Sequence, residues 1–230
     1  MKRFTTLLFD ADNTLFDFNA CEKEALRLAF QKYGYMLEEE IYKAYSGINL
    51  DLWKQYEKGL VDRNVLIYKR FEILFDKYGF LYDVRKFEDD YQELLGMQHF
   101  FMEDAYDVIE KLHAGYDLYI VTNGVTATQL RRFHDSTIDR FMKDIFVSEQ
   151  TGSQKPKKEY FDYCFERIEN FDREKTLIIG DSLSSDIKGG NNAGIATCWY
   201  NPDGAINPTD IKADYEIRKL TELNVIVLVE

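Results

Sequence analysis

The feature that most constrains this chain is a change in hydrophobic period. Residues 4–9, Phe4-Thr5-Thr6-Leu7-Leu8-Phe9, form a short apolar run that stops at an Asp/Asn/Thr cluster, which reads as a buried strand followed by a functional turn. From about Asn19 to Met97 the pattern is helical, with no strand-like run between. Asn19 is placed to cap a helix in which Leu26, Phe30 and Tyr33 recur at i, i+4 and i+7, and Gly34 stands where a left-handed C-terminal residue belongs. Asp62 precedes the helical stretch Val65 to Tyr78, closed by Gly79, and Asp83 opens another that ends near Gly96.

After about residue 100 the chain alternates. A helix around Ala105–His113 precedes the run Leu118-Tyr119-Ile120-Val121, and a second helix starts after Gly124. The strand Ile145-Phe146-Val147, a helix near Lys158–Ile168, the strand Leu177-Ile178-Ile179, a helix after Asp186, the strand Ile195–Trp199 and a last segment Ala213–Ile217 follow. Such alternation predicts βαβ units, and so an α/β fold with a doubly wound parallel sheet and helices on both faces. The expected organisation is a core of residues 1–16 and 98–230 and an inserted all-helical cap of residues 17–97. In sheets of this kind ligands sit at the carboxyl ends of the strands.

Composition narrows the partners. The 230 residues carry 41 Asp and Glu against 29 Lys and Arg, a formal charge of −12, which argues against a general binder of nucleic-acid polymers or membrane surfaces. A phosphate-bearing ligand must therefore meet a local positive centre. Cys21, Cys164 and Cys198 are odd in number and widely spaced, so neither a disulfide framework nor a zinc knuckle is indicated and a reducing, cytoplasmic setting is expected. The apolar patch Leu7-Leu8-Phe9 is too short for a signal sequence or a membrane span. A monomer is the default expectation.

The residues just past the predicted strands are the chemically informative ones. They are Asp10-Ala11-Asp12-Asn13-Thr14, Thr122-Asn123-Gly124, Lys155-Pro156 and Gly180-Asp181-Ser182-Leu183-Ser184-Ser185-Asp186. An isolated Asp-x-Asp is most often a turn or cap, but four strand-end clusters facing one crevice suit phosphoryl transfer. That reaction needs an in-line oxygen nucleophile, neutralisation of the non-bridging oxygens and a proton for the leaving oxygen. Asp10 can supply the nucleophile through an aspartyl-phosphate. Asp10, Asp12, Asp181 and Asp186 gathered beside a phosphate dianion require a cation; Mg²⁺, a hard ion, fits, with Asp10 and Asp181 as its side-chain ligands. Lys155 offsets the phosphate charge and pairs with Asp10, while the Thr122 hydroxyl and backbone N–H groups around Asn123 hold phosphoryl oxygens. Asp186 is expected to orient Lys155 or a metal-bound water. Lys157 and Lys158 read as solvated, Ser182, Ser184 and Ser185 as helix caps, and Gly189 and Gly190 as packing positions, since their spacing matches no phosphate loop.

As a set these four clusters resemble the motifs of the haloacid dehalogenase (HAD) superfamily of phosphatases. The resemblance implies a Rossmann-like core with a helical C1 cap that closes over the reacting phosphate. It implies that the residue two past the nucleophile, Asp12, lends its backbone carbonyl to the metal. The Asp12 side chain is then free to act as general acid and afterwards as base, its proton retained by repulsion from the neighbouring carboxylates. Dehalogenases of the superfamily lack this second aspartate, so Asp12 favours a phosphatase or a phosphomutase. The phosphonate-cleaving branch uses a cap lysine, and Lys23, Lys43, Lys54, Lys58 and Lys69 have no distinguishing context.

The flank Phe16-Asp17-Phe18 and the cap stretches Tyr45–Asn49, Leu52–Gly59 and Arg70–Phe75 are similar to the pyrimidine 5′-nucleotidase branch. On that resemblance Phe16, Phe18 or Trp53 would stack on a base and Asn49 would bond its edge. The competing reading places Trp53, Tyr56 and Phe71 in helix core. Met97, Met102, His99, His113 and His134 belong to no constellation. The expected activity is Mg²⁺-dependent hydrolysis of small phosphomonoesters, nucleoside 5′-monophosphates first. Sugar-phosphate or phosphoglycolate hydrolysis and phosphomutase activity are the sibling alternatives. A phospho-accepting signalling switch is the alternative from another class, and the large insertion with Asp12 argues against it.

Overall fold

The computed structural model describes residues 3–227. In chain order the elements are β1 (Thr6–Phe9), α1 (Phe18–Lys32), α2 (Glu39–Glu57), α3 (Arg63–Tyr78), α4 (Val84–Gly96), α5 (Ala105–Leu112), β2 (Asp117–Thr122), α6 (Thr126–Asp135) and β3 (Asp144–Val147). A one-turn α7 (Ser148–Thr151) and α8 (Lys158–Phe165) lead to β4 (Thr176–Gly180). A π-helical turn at Leu183–Ile187, α9 (Lys188–Ala193), β5 (Ala196–Tyr200), β6 (Tyr215–Ile217) and the short α10 (Leu223–Ile226) complete the chain. The chain divides into two compact units, residues 1–18 with 99–230, and residues 19–98.

In the first unit six parallel strands run in the order β3-β2-β1-β4-β5-β6. Alternate residues of the central strands feed two cores. Leu7, Phe9, Leu118, Ile120, Leu177 and Ile179 pack with Val108, Ile109 and Leu112 of α5 and with Phe133 of α6. Leu8, Tyr119, Val121 and Ile178 face the other way onto Tyr160, Phe161, Cys164 and Phe165 of α8. A strand buried on both faces is why each reads as a continuous apolar run rather than an alternating one. Truncating a fully buried residue such as Leu7 to Ala costs about 2–5 kcal/mol. Close approach explains Gly190, where a Cβ would lie 2.5 Å from Thr197 and 2.6 Å from Ile178.

The second unit is four helices, α1 to α4, around a cluster of rings: Phe30, Tyr45, Phe71, Phe75, Phe87 and Tyr91 are all buried. Phe71 and Phe87 meet edge to face at 4.9 Å, and Tyr45 stacks on Phe71 at 5.0 Å. Gly79 closes α3 in the left-handed conformation, φ 71°, where any Cβ would be strained. Asn19 lies inside α1 rather than capping it; the Asn13 carboxamide accepts from the Phe18 N–H at 3.1 Å and takes that role from the preceding turn. Asp62 makes no side-chain cap bond, whereas Asp83 accepts from the Lys86 N–H. Among the described residues no helix is long and apolar enough to cross a membrane.

Candidate active site

Parallel register brings the strand-end residues to one level. Phe9 pairs with Ile120 of β2 and with Ile179 of β4, so Asp10, Val121-Thr122 and Gly180-Asp181 emerge together at the carboxyl edge of the three central strands. The turn after β1 is local chemistry. Ala11 O accepts from the N–H groups of both Leu15 and Phe16 at 2.9 Å, and Asn13 takes φ 61°, a conformation Asn tolerates. It leaves Asp10 and Thr14 facing the same side, with the Thr14 hydroxyl donating to Asp10 Oδ2 at 3.2 Å. The Asp181 N–H donates to that hydroxyl at 3.1 Å, and Trp199 Nε1 holds the Asp181 carbonyl at 2.8 Å.

Lys155 is the centre of the site. Its ammonium donates to Asp10 Oδ1 at 2.6 Å, to Asp186 Oδ1 at 2.7 Å and to the Val121 carbonyl at 2.7 Å. An ammonium has three donors, so all are spent on protein oxygens. Lys155 therefore fixes the carboxylate of Asp10, and has only its field left to offer an anion. Asn123 explains how this loop residue is placed: its carboxamide accepts from the Lys155 N–H and donates to the Lys155 carbonyl, both at 3.0 Å. That side chain is thereby occupied, and only the Asn123 backbone N–H remains for an anion. The Thr122 hydroxyl accepts from the Gly124 N–H and from Gln129 Nε2, each at 3.1 Å, which leaves its own hydrogen to donate. Asp186 is closed on both sides, Oδ1 to Lys155 and Oδ2 to the Ser182 N–H at 3.1 Å. A Cβ on Gly180 would sit 2.3 Å from that carboxylate, so glycine is required for Asp186 to lie against β4. The Ser182 hydroxyl accepts from the Ser185 N–H, a capping contact.

The electrostatics are unbalanced toward negative charge. One oxygen from each of Asp10, Asp181 and Asp186 lies within 4.8 Å of the others, around a single ammonium. Burial pushes Asp10 up to about 7, with Lys155 pulling it down and Asp186 and Asp12 pushing it further up. Burial, then Asp10 and Asp186, hold Asp181 well above the ordinary carboxylate range. Clustered hard oxygen donors whose charge the protein does not itself neutralise are the donor set that Mg²⁺ takes.

Of the expected substrate contacts, two are overturned by packing. Phe16 is fully buried, its ring 5.2 Å from Phe101 and 5.4 Å from Phe133, so no face is open for a base. Asn49 donates to Glu22 at 2.6 Å and accepts from Arg70 at 2.9 Å inside the helical unit, so its amide is committed to protein partners. Trp53 is half-buried, set edge-on to Tyr56 at 5.6 Å beside Leu52 and Leu66. Phe18 is half-buried, with the Arg132 guanidinium 5.9 Å from its ring.

Sequence reasoning missed Gln129 and Arg132, both buried on α6 and both bonded to the Asp12 carboxylate. The available signal was their spacing. Gln129, Arg132 and Phe133 fall at i, i+3 and i+4, one helix face, between exposed Leu130 and Arg131.

Residues 7–200 match the sequence model of the haloacid dehalogenase-like hydrolase family. The chain is 49% identical over 230 residues to the HAD-hydrolase YfnB of Bacillus subtilis, covering 100% of this chain and 98% of that one. It is 39% identical over 219 residues to the pyrimidine 5′-nucleotidase PynA of Streptococcus pneumoniae, covering 94% and 92%. The crystal structure of YfnB bound to magnesium superposes with a TM-score of 0.94, covering 99% of this chain and 100% of that chain at 49% identity.

Proposed function

The chain belongs to the haloacid dehalogenase-like hydrolase family, and from that premise we propose that it is a Mg²⁺-dependent phosphomonoesterase acting through an aspartyl-phosphate on pyrimidine nucleoside 5′-monophosphates. The observation that carries the reaction is Lys155 bridging Asp10 and Asp186 at 2.6 and 2.7 Å beside Asp181, at the carboxyl ends of β1 and β4. The similarity to PynA carries the substrate.

The Asp10 carboxylate, oriented by Lys155 and Thr14, attacks phosphorus in line. As the new O–P bond forms, the ester P–O bond breaks with its electron pair on the leaving oxygen, and the Asp12 carboxyl delivers its proton there. The alcohol departs. The Asp12 carboxylate then takes a proton from water as that oxygen attacks the aspartyl-phosphate, and phosphate is released with Asp10 restored. The Thr122 hydroxyl and the backbone N–H of Asn123 hold phosphoryl oxygens through the reaction. When bound, Mg²⁺ supplies charge stabilisation at those oxygens, held by Asp10, Asp181 and the Asp12 carbonyl. Asp186 keeps Lys155 in place.

The test is phosphate release, with Mg²⁺ and with EDTA, across nucleoside monophosphates, sugar phosphates and phosphoglycolate. The expected result is metal-dependent release concentrated on UMP, dUMP or dTMP. Release concentrated on a sugar phosphate overturns the nucleotide assignment and leaves the mechanism standing; release unaffected by EDTA overturns the metal.

A further inference from the structure

Asp12 is the one acidic group of the site whose carboxylate is gripped by a neighbouring helix. Its side chain is 26% exposed. Arg132 Nη1 donates to Asp12 Oδ1 at 2.5 Å and Gln129 Nε2 donates to Asp12 Oδ2 at 2.6 Å. The two donors also lock each other, Arg132 Nη1 donating to Gln129 Oε1 at 3.1 Å. Gln129 Nε2 reaches the Thr122 hydroxyl as well, at 3.1 Å, tying the Asp12 carboxylate to the group that faces the phosphate. The Arg132 side chain is 1% exposed, and its guanidinium lies 4.6 Å from the Phe16 ring centroid. A Cβ on Gly124 would fall 2.4 Å from Gln129 Nε2, so the loop after β2 is shaped to admit that amide.

A buried arginine is a costly way to hold a carboxylate that keeps part of its exposure. Its planar, permanently charged fork fixes a carboxylate in direction as well as distance, and stacking on Phe16 removes its own freedom. We infer that Gln129 and Arg132 are positioning residues that hold the Asp12 carboxyl in the one orientation that serves proton transfer to the leaving oxygen. Each carboxylate oxygen keeps a second lone pair beyond the bond to the clamp, so the clamp and a transferable proton coexist on Asp12. The inference rests on the proposed phosphomonoesterase reading, in which Asp12 protonates the departing alcohol.

The experiment compares Arg132→Met, Arg132→Lys, Gln129→Met, Asp12→Asn and the double variant Arg132→Met/Asp12→Asn. Two esters are used, p-nitrophenyl phosphate and a nucleoside 5′-monophosphate, with a thermal melt of each protein. A nitrophenolate leaves with little protonation, so a misplaced acid hurts the alkyl ester far more. The expected result for Arg132→Met is a loss in kcat/KM of about 10²-fold on the nucleotide and no more than about tenfold on p-nitrophenyl phosphate. Arg132→Lys recovers part of the loss, and the double variant is no worse than Asp12→Asn alone. A merely structural role gives equal losses on both esters and losses that add in the double variant; either result overturns the inference. Gln129→Met is read by the same pattern if Arg132→Met does not fold. Equal losses for Asp12→Asn itself, or no phosphate release by the unaltered enzyme, overturn the underlying reading and the inference with it. A split for Asp12→Asn without one for the foldable clamp variants overturns the inference alone.

Discussion

Two buried charge networks of the described residues, Arg70 with Glu88 and Lys155 with Asp10 and Asp186, lie one in each compact unit and are built on opposite plans. In the helical unit Arg70 is satisfied on every side. It donates to Glu88 at 2.8 and 2.9 Å, to Asn49 at 2.9 Å and to the Ile67 carbonyl at 3.1 Å, among the rings of Tyr45, Phe71 and Tyr91. The second carboxylate, Glu22, is set apart by the Asn49 amide, which donates to it. In the α/β unit the three carboxylates crowd within 4.8 Å around one ammonium. The first network is a closed packing device. The second holds surplus charge that folding alone does not relieve, and that surplus is what a cation and a phosphate can use. Removing a member should therefore have opposite consequences in the two places.

The largest expected effect is on turnover. Asp10→Asn removes the proposed nucleophile while leaving Lys155 its bonds to Asp186 and Val121, so phosphate release should fall by about 10⁴-fold or more without loss of folded protein. Near-normal release by this variant would remove Asp10 from the mechanism. Next is Arg70→Met, which strands Glu88 in an interior where burial already holds its carboxyl above the usual range. Unfolding in urea should register a loss of about 3–5 kcal/mol. A loss near zero would mean that the helical unit repacks around a neutral Glu88, and the contrast between the two networks would fail.

How much of this was legible in the sequence differs between the two networks for a physical reason. Asp10 and Asp181 each follow a doubly buried strand and Thr122 ends one, so the end of an apolar run marks them; Lys155 lies past β3, in the loop between α7 and α8. The helical network has no such marker. Asn49 looks the same whether its amide meets a base edge or Glu22, because the partner is 27 residues away and on another helix. Phe16 suffers the same ambiguity. Its place in the flank Phe16-Asp17-Phe18, similar to the pyrimidine 5′-nucleotidase branch, suggested a ligand face, and only the tertiary packing of Phe101 and Phe133 shows it to be core. Arg132 and Gln129 were hidden because polar residues in a helix read first as surface. Asn13 capped α1 in place of Asn19 through a turn geometry that single-residue preference does not encode.

A smaller effect separates the networks by pH and metal. Asp10 titrates near 7 in the fold against an ordinary value of 3.8, so the folded chain binds more protons than the unfolded chain in between. That contribution to stability is fully present below about pH 4 and is lost as pH rises through about 7. In EDTA the unfolding free energy should therefore drop by about 1–3 kcal/mol between pH 5 and 8, and Mg²⁺ should restore it at pH 8. Asp181→Asn should flatten the drop, raise metal-free stability at pH 8 and abolish the response to Mg²⁺, because it removes one of the repelling carboxylates. A lower metal-free stability in that variant would show that the cluster is held together by contacts rather than set against itself.

The smallest expected effect tests whether the helical network is as closed as its geometry implies. Asn49→Ala removes one acceptor of Arg70 and one donor to Glu22, but Arg70 keeps Glu88 and the Ile67 carbonyl, so no full charge loses its counter-ion. The expected loss in urea unfolding is about 1–2 kcal/mol, that of unsatisfied hydrogen bonds, well below that of Arg70→Met. Hydrolysis of p-nitrophenyl phosphate should be unchanged, since the Asn49 amide is committed to Glu22 and Arg70 of its own unit. If Asn49→Ala cost as much as Arg70→Met, the amide would be the element that keeps Glu22 and Glu88 compatible, and the helical unit too would be holding two carboxylates in tension.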